Sequence, residues 1–582
     1  MTSRPATAPG ASSASSSAAR PGVQRWPAIW GPRLWKLIAF ALALLLYRVW
    51  FIGHSGISVF FDEAQYWDWS RQLDWGYYSK PPMIAALIKL STALFGNGLV
   101  GIKLVCMLLY PVTALAMVGL ARALWPTSSG VRTGAVAGAL FMTLPAVGTL
   151  GLFASTDAPL ILCWTLAAWM MWRAQVTNRT PYWLGLGVVM GLGIMSKYTM
   201  AAFALTAIWT LWAVHGPRRG LLRAGPWIAV AVAALIVSPN IWWNAHHGFP
   251  TLHHTAELTT QSTRDGGLLS SLEFLAGQLL MLGPVVVIGA VWLWQRARRQ
   301  APPAVAPGSQ WAASTQVQAS TQVPGSASGR PVARSSAYYL ASVSSYRYLW
   351  AVSLPLILIA TVQAFSAGAN INWAAPALVG LCLLVASRVS PPLVPLAAPR
   401  PARWLVAMLV SNLVLTGVVL HVRDFVSPPV PSRWDALVRM RGWQEAFQDL
   451  KPVLDEPVIN GLPVLTDQRL LITLAAYYWR DHRVQTLYWN PQGLRNNHYL
   501  INHSLPDKIG SDMLLVTASP QPDSITNRFA IVRHMKSTKV QVAANRYVEL
   551  HTFFLRGFLG YTQQAYMEQS GGARAEPSSD AN

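Results

Sequence analysis

Long apolar runs recur along most of this chain and constrain its fold more than any other feature. The run from Leu34 to Ile52 is long enough to cross a bilayer, which takes roughly 20 residues in a helix. Only 12% of the 582 residues are charged, about half the usual share in a soluble domain. We therefore predict a polytopic α-helical membrane protein with about eleven spans. The predicted spans are approximately 34–52, 98–120, 133–150, 158–173, 182–195, 199–215, 226–243, 274–295, 348–366, 373–387 and 404–421.

The net charge of +22 indicates an orientation rather than nucleic-acid binding. Lys and Arg lie mostly in short turns between apolar runs, as at Arg296, Arg298 and Arg299, which is the positive-inside pattern. A nucleic-acid surface would instead cluster them on a soluble face. With the N-terminus cytoplasmic, the loops on the opposite side are 53–97, 151–157, 196–198, 244–273 and 367–372, together with everything after 421.

Composition divides the chain into segments. A Ser/Ala/Pro-rich stretch predicts a disordered N-terminus over 1–30, and an Ala/Ser/Pro/Gln tract predicts a flexible cytoplasmic linker over 300–346. That linker interrupts a membrane domain of 31–425. Short apolar runs alternate with helical stretches over 430–567, which predicts a small soluble α/β domain on the non-cytoplasmic side. Residues 568–582 are predicted to be a disordered tail.

The first non-cytoplasmic loop contains the densest group of charges, FFDEAQYWDWSRQLDWGYYSKPPM. One interpretation is an amphipathic helix at the membrane interface whose charges are simply solvated. Asp62 and Glu63 begin the loop helix at the end of a span, where partial desolvation suits a general base. Lys80 precedes two prolines that fix the local backbone, as a lysine that holds a lipid phosphate would require. Tyr78 is a further candidate for substrate binding.

Three polar residues in other non-cytoplasmic loops are also candidates. Asp157 in STDAPL lies at membrane depth, where a carboxylate is costly and often functional, although it also suits a helix start. Lys197 in the SK pair is either a phosphate contact or a lysine that reaches water without a function. Asn372 suits a sugar hydroxyl, and a plain turn explains it equally well.

A histidine-rich loop follows the seventh predicted span. His253 and His254 lie four and three residues before Glu257, and this helical spacing can place two metal ligands on one face. The pattern is not a known zinc signature, and histidine pairs at an interface are commonly polar caps. No cofactor is predicted beyond a divalent metal ion at this site, which the spacing allows but does not require. Arg264 is a candidate phosphate partner.

These acids, lysines, histidines and amides come from five separated stretches, and all of them map to one side of the predicted membrane. This distribution indicates group transfer from a membrane-held phosphate. A carboxylate would deprotonate an acceptor hydroxyl, and cations would stabilise the departing phosphate.

The motifs DEAQYW, DWGYYSKPPM, STDAPL, GLGIMSK and PNIWWN together resemble the family 39-like bacterial glycosyltransferases. These enzymes have the GT-C fold and are related to protein O-mannosyltransferases and to the lipid A aminoarabinose transferase. The resemblance covers about residues 34–425. Two departures concern the aminoarabinose transferases: Ser79 stands where they carry a Glu used at a metal site, and GANINWAAP replaces their late GxLPxY-like stretch.

The resemblance implies a polyprenyl-phosphate sugar donor and an inverting transfer. By position, Asp62 would match the catalytic acid of the family, and Lys80 the lysine near the lipid phosphate. Asp157 would match the second-loop acid, and Lys197 the lysine of the SK motif. The implied setting is a bacterial inner membrane, with the active site and the C-terminal domain in the periplasm.

We therefore expect an enzyme that transfers a hexosyl or pentosyl unit from an undecaprenyl-type phosphate to a periplasm-facing acceptor. Lipid A or lipopolysaccharide core is the preferred acceptor, and a protein Ser or Thr is the second. Two rivals are a transporter or flippase for a polar lipid, which would need inverted repeats and midplane charges, and a membrane scaffold with dispensable loop charges.

Overall fold

The structure is a computed structural model that describes residues 32–126, 128–215, 222–260, 266–300, 330–390, 400–426 and 429–561. Helices dominate up to residue 425. They are α1 Pro32–His54, α2 Phe61–Arg71, α3 Met83–Phe95, α4 Leu99–Leu124, α5 Ser128–Thr143, α6 Pro145–Leu150, α7 Asp157–Thr177, α8 Thr180–Ser196, α9 Phe203–His215, α10 Ala224–His246, α11 Pro250–Thr260, α12 Leu268–Leu282, α13 Pro284–Gln300, α14 Arg330–Ala367, α15 Ala377–Val389, α16 Arg400–Leu420 and α17 Val422–Phe425.

Several of these helices suit a membrane. Among the described residues, five are long and apolar enough to cross one by length and composition: Leu34–His54, Leu99–Leu124, Ala224–His246, Ser344–Ala367 and Arg403–Leu420. Shorter apolar helices accompany them at Met83–Phe95, Thr180–Ser196, Tyr198–Trp212 and Ala377–Val389. The predicted helical membrane fold is confirmed at this level, while the count of about eleven spans stays a prediction.

Three predicted segments differ in the structure. The span predicted at 274–295 is the pair α12 and α13, bent by 88° where Gly283 has a φ of 93°, a conformation that favours glycine. The loop predicted at 53–97 contains the apolar helix α3. The linker predicted at 300–346 overlaps helix α14, which begins at residue 330.

The predicted disordered segments 1–30 and 568–582 lie outside the described residues, as does the part of the predicted linker over 301–329.

Helices α8 and α10 approach closely through Gly187, where an added Cβ would lie 2.6 Å from the Ala229 carbonyl oxygen. Small residues permit such contacts between apolar helices. Lys197 directly follows the end of α8.

The C-terminal residues form a five-stranded mixed sheet. Its strands are β1 Val464–Thr466, β2 Thr486–Tyr488, β3 Met513–Thr517, β4 Phe529–Ala543 and β5 Arg546–Phe558, in the order β2-β1-β3-β5-β4. Strand β1 is parallel to β2 and β3, whereas β5 is antiparallel to β3 and β4. The accompanying helices are α18 Trp443–Leu450, α19 Arg469–Tyr478, α20 His498–Asn502 and α21 Asp523–Thr526.

Helix α19 joins this sheet to the first loop. It connects the parallel strands β1 and β2, and its tyrosines contact the loop on the other side. The Tyr477 hydroxyl donates to the Asn97 carbonyl at 2.9 Å, and the Val59 N–H donates to the Tyr478 hydroxyl at 3.1 Å. The Tyr477 ring also packs edge-on against Trp67 at 5.2 Å. These contacts carry Arg469, the first residue of α19, to helix α2.

Candidate active site

A cavity of about 820 Å³ lies where the first loop, the α6–α7 loop and the C-terminal region meet. We call it the first cavity. Its floor is apolar, with side chains from α14 such as Leu356 and Ile359. Seven of the eleven predicted site residues line it: Asp62, Glu63, Lys80, Asp157, Lys197, His254 and Asn372. Residues predicted from distant stretches of the sequence therefore line one cavity.

Asp157, Lys197 and Asn372 form a hydrogen-bonded triad in this cavity. The Lys197 ammonium donates to Asp157 Oδ1 at 2.8 Å, and the Asn372 amide donates to Oδ2 at 2.7 Å. Asp157 is the first residue of α7, Lys197 caps the end of α8, and Asn372 lies in the 3₁₀ turn Ile371–Ala374. Both carboxylate oxygens are occupied, so the triad fixes three helix ends relative to one another.

Asp62 forms an ion pair with Arg469 from α19. The guanidinium also donates through Nε to Gln65 Oε1 at 2.8 Å and lies 5.2 Å from the centre of the Phe61 ring. The side chains of Asp62 and Arg469 remain 32% and 24% exposed. The Asp62 carboxylate is thus oriented from one side and still open to the cavity.

Glu63 has a different environment although it follows Asp62 directly. Its carboxylate is buried and bonded to the buried Lys103 ammonium at 2.6 and 2.5 Å. The backbone N–H groups of Ala154 and Phe60 also donate to it, at 2.7 and 3.0 Å. Lys103 donates in turn to the Leu152 carbonyl at 3.0 Å. Such full pairing is typical of a structural group, whereas a catalytic role was predicted for Glu63.

Lys80 lies at the mouth of a tight turn. The Tyr77 N–H donates to the Lys80 carbonyl at 3.2 Å, and Lys80 and Pro81 both line the first cavity. Ser79 lines it as well. The turn therefore places Lys80 at the wall of the first cavity, and its contact with a phosphate stays a prediction.

Tyr78, His253 and Glu257 line a second, larger cavity of about 1590 Å³ instead. The Tyr78 ring packs against His254 with centroids 5.2 Å apart. Burial raises the pKa of the Tyr78 phenol to about 12, and the Glu257 carboxylate adds to this rise, so the phenol stays protonated at neutral pH. Arg264 lies outside the described residues.

The metal site predicted at His253, His254 and Glu257 needs correction. Neighbouring residues on a helix point about 100° apart, so His254 lines the first cavity while His253 and Glu257 line the second. The three do not form a group that could hold an ion. Among the described residues, a group with suitable geometry consists of Asp68, His498 and His503.

Two arginines of the first cavity were missed by the sequence analysis. Arg439 and Arg469 both belong to the C-terminal region and line the first cavity. Arg469 follows strand β1 at the start of α19, a position where α/β folds commonly carry binding residues. That position was the available signal, since the arginine is 407 residues away from Asp62 along the chain.

Comparison with protein families supports the resemblance that the motifs indicated. Residues 79–243 match the family described as "Dolichyl-phosphate-mannose-protein mannosyltransferase". The match includes Lys80, Asp157 and Lys197 but ends before the C-terminal region.

Two relatives extend the likeness. The lipid A galacturonosyltransferase RgtD of Rhizobium johnstonii is 29% identical over 500 residues, which cover 84% of this chain and 91% of the relative. An undecaprenyl phosphate-alpha-4-amino-4-deoxy-L-arabinose arabinosyl transferase of Pseudomonas savastanoi is 31% identical over 229 residues, or 36% of this chain and 40% of the relative. Both are named glycosyltransferases, and the predicted enzyme class is confirmed at that level.

A solved structure shares the fold. The crystal structure of ArnT from Cupriavidus metallidurans bound to undecaprenyl phosphate superimposes with a TM-score of 0.58 at 16% sequence identity, covering 90% of this chain and 98% of that chain. This likeness identifies the GT-C membrane fold.

Proposed function

We propose that this chain, a glycosyltransferase with the GT-C fold, transfers a sugar from a polyprenyl-phosphate donor to lipid A or the lipopolysaccharide core. One observation carries this function. An open carboxylate, Asp62, shares a cavity of about 820 Å³ with Lys80 and the Asp157–Lys197 pair. An acid beside several cations suits a sugar phosphate, and the named activities of the relatives agree with it.

Asp62 is the proposed general base. Its carboxylate takes the proton of the acceptor hydroxyl as the hydroxyl oxygen attacks the anomeric carbon of the sugar. The attack comes from the face opposite the phosphate, so the configuration inverts as the carbon–oxygen bond to phosphate breaks. The bonding electrons leave with the polyprenyl phosphate, and the carboxylate keeps the proton until the product departs.

Lys80 and Lys197 are the proposed contacts for the departing phosphate. Fixed cations beside a leaving phosphate stabilise the charge that develops on it. An ammonium has three N–H donors, so Lys197 can meet a phosphate oxygen while it remains bonded to Asp157. Arg439 and Arg469 add positive charge to the lining of the same cavity.

Asp157 and Asn372 are proposed to position substrate and the lysine together. The Asn372 amide and the Asp157 carboxylate, which bond to each other in the structure, can also meet sugar hydroxyls. Glu63 is assigned a supporting role, because its ion pair with Lys103 ties the first loop to the loop that leads into Asp157.

The proposed setting is the inner membrane of a Gram-negative-type bacterium. The active site and a soluble C-terminal α/β domain, over about 430–567, would face the periplasm, with about eleven spans below them. The positive-inside distribution of Lys and Arg supports this orientation. A periplasmic site would give access to lipid A and to donors carried on an undecaprenyl-type phosphate.

Mass spectrometry of lipid A and core oligosaccharide tests this function. A strain without the gene should lose one defined sugar mass relative to its parent. The wild-type gene should restore that mass, and Asp62→Asn should not. An unchanged lipid profile together with an altered glycoprotein would instead indicate a protein acceptor. Unchanged lipids and glycoproteins with altered lipid distribution would favour a transporter.

A further inference from the structure

The second cavity contains a cluster of metal-ligating side chains on its wall. Asp68, His498 and His503 each offer a ligand atom, and these atoms lie within 4.8 Å of one another. Asp68 is near the end of α2, whereas in the C-terminal region His498 is the first residue of α20 and His503 directly follows that helix. From this geometry we propose that Asp68, His498 and His503 bind a zinc ion that joins the first loop to the C-terminal region.

The ligand set suits zinc. Two imidazoles and one carboxylate are common zinc ligands, with bond lengths of about 2.0–2.2 Å. Ligand atoms at the corners of a tetrahedron of that size are roughly 3.3–3.6 Å apart. Side-chain rotations that move each atom by about an ångström would therefore close the group around an ion. The cavity of about 1590 Å³ beside it gives the ion access and leaves room for a water as fourth ligand.

His503 is held as a metal-ligating histidine usually is. Its Nδ1 lies 3.1 Å from the Thr486 carbonyl oxygen, so Nδ1 carries the proton and Nε2 presents its lone pair. A hydrogen bond from the other ring nitrogen to a carbonyl typically fixes a ligating imidazole. The carbonyl belongs to strand β2, which pairs with β1 in the sheet.

The other two ligands are also supported. Tyr499 donates its hydroxyl to Asp68 Oδ2 at 3.1 Å. The exposed Arg71 side chain is 3.7 Å from Oδ1, too far for a hydrogen bond, so this oxygen keeps lone pairs for a cation. Trp69 packs edge-on against His498 at 5.5 Å and limits its rotation.

The Asn502 amide lies 3.2 Å from His498 Nδ1. An amide can turn its oxygen or its nitrogen toward a ring nitrogen. With the oxygen turned inward, Asn502 accepts the Nδ1 proton and leaves Nε2 as the third ligand. An ion held in this way would crosslink α2 and α20, and it would restrain the helix whose first turn carries Asp62.

Zinc uptake by the full chain in detergent tests this site without reference to sugar transfer. Protein stripped of metal by a chelator is titrated with zinc in competition with a chromophoric chelator. We expect a single tight zinc per chain. Asp68→Asn and His503→Gln should weaken binding by more than roughly 100-fold, the upper end for losing even a supporting bond to a ligand.

Matched variants separate a lost ligand from a damaged fold. His503→Cys supplies another zinc ligand and should retain binding. His54→Gln and His253→Gln, which alter histidines outside the cluster, should bind zinc as the wild type does. Zinc should raise the melting temperature of the wild type but not of Asp68→Asn. Wild-type protein that takes up no zinc, or cluster variants that bind it unchanged, would overturn the site.

Discussion

The neighbouring carboxylates of Asp62 and Glu63, both on helix α2, lie in two different environments. We call the ion pair of Glu63 and Lys103 the buried junction. There Glu63 bonds to Lys103 and to two backbone N–H groups, so no part of its carboxylate remains for a substrate. In the first cavity, Asp62 meets Arg469 and stays 32% exposed. The comparison indicates that openness, rather than the presence of an acid, separates the proposed base from the residue that supports it.

The junction nevertheless shapes the cavity. Glu63 accepts from the Ala154 N–H, and Lys103 donates to the Leu152 carbonyl. Those residues belong to the loop that leads into Asp157. A single buried ion pair therefore sets the distance between the proposed base and the Asp157–Lys197–Asn372 triad. Variants on each side of α2 should consequently fail in different ways, by loss of fold or by loss of chemistry.

The largest expected effect is on the stability of the buried junction. Glu63→Ala leaves the Lys103 charge buried and unpaired, which should cost about 3–5 kcal/mol. We expect the protein to melt at a much lower temperature in detergent or to fail to accumulate, as measured by size-exclusion chromatography after heating. Glu63→Ala with Lys103→Met removes both charges and should recover part of the loss. A Glu63→Ala protein as stable as the wild type would contradict the structural role assigned to Glu63.

Asp62→Asn should have the next largest effect, on catalysis alone. Loss of a general base commonly lowers the rate by roughly 10²–10⁴-fold. The amide keeps the size of the carboxylate and can still accept from Arg469, so the melting temperature should change little. Transfer of sugar from a polyprenyl-phosphate donor in reconstituted vesicles measures the rate. Full activity of a folded Asp62→Asn protein would contradict the assignment.

Local sequence pointed to many of the residues that line the first cavity, because their charges interrupt apolar runs. Asp157, Lys197 and Asn372 were each predicted from a short loop, and the structure joins them in one triad. The strand and helix pattern of the C-terminal region was also visible, since PVLTD contains β1 and the stretch after it contains α19. Both signals depend only on residues close together in the chain.

The partners of the two neighbouring acids were not predicted, for different reasons. Lys103 is an ionisable residue inside an apolar run, which is a signal of function or pairing, and this signal could have distinguished Glu63 from Asp62. The sequence gives no indication that Arg469 pairs with Asp62, because only the docking of α19 on the first loop brings the two residues together. His253 and His254 show the limit of spacing arguments, since adjacent helix positions face different cavities.

Loss of the Asp157–Lys197 ion pair should have an intermediate effect on stability, because the pair is largely buried and also lines the first cavity. The side chains are 5% and 17% exposed. A double-mutant cycle with Asp157→Asn and Lys197→Met should give a coupling energy of about 0.5–3 kcal/mol in stability. Each single variant should also reduce transfer. Additive effects on stability would mean that the ion pair does not form in the membrane.

Arg469→Ala should have the smallest effect on stability and a clear effect on activity. Exposed ion pairs contribute only about 0–1 kcal/mol, and both side chains here are partly solvated. Without the guanidinium, Asp62 loses its orientation, so kcat should fall by less than in Asp62→Asn while the melting temperature barely moves.

Arg469→Lys keeps the charge but cannot hold Asp62 and Gln65 together as the guanidinium does, and we expect it to restore activity in part. Arg480→Ala, in the 3₁₀ turn just after α19 and not among the residues that line the first cavity, is the matched control and should leave transfer unchanged. Equal activity of Arg469→Ala and the wild type would mean that the C-terminal region only covers the cavity, whereas a selective loss of kcat would make it part of the active site.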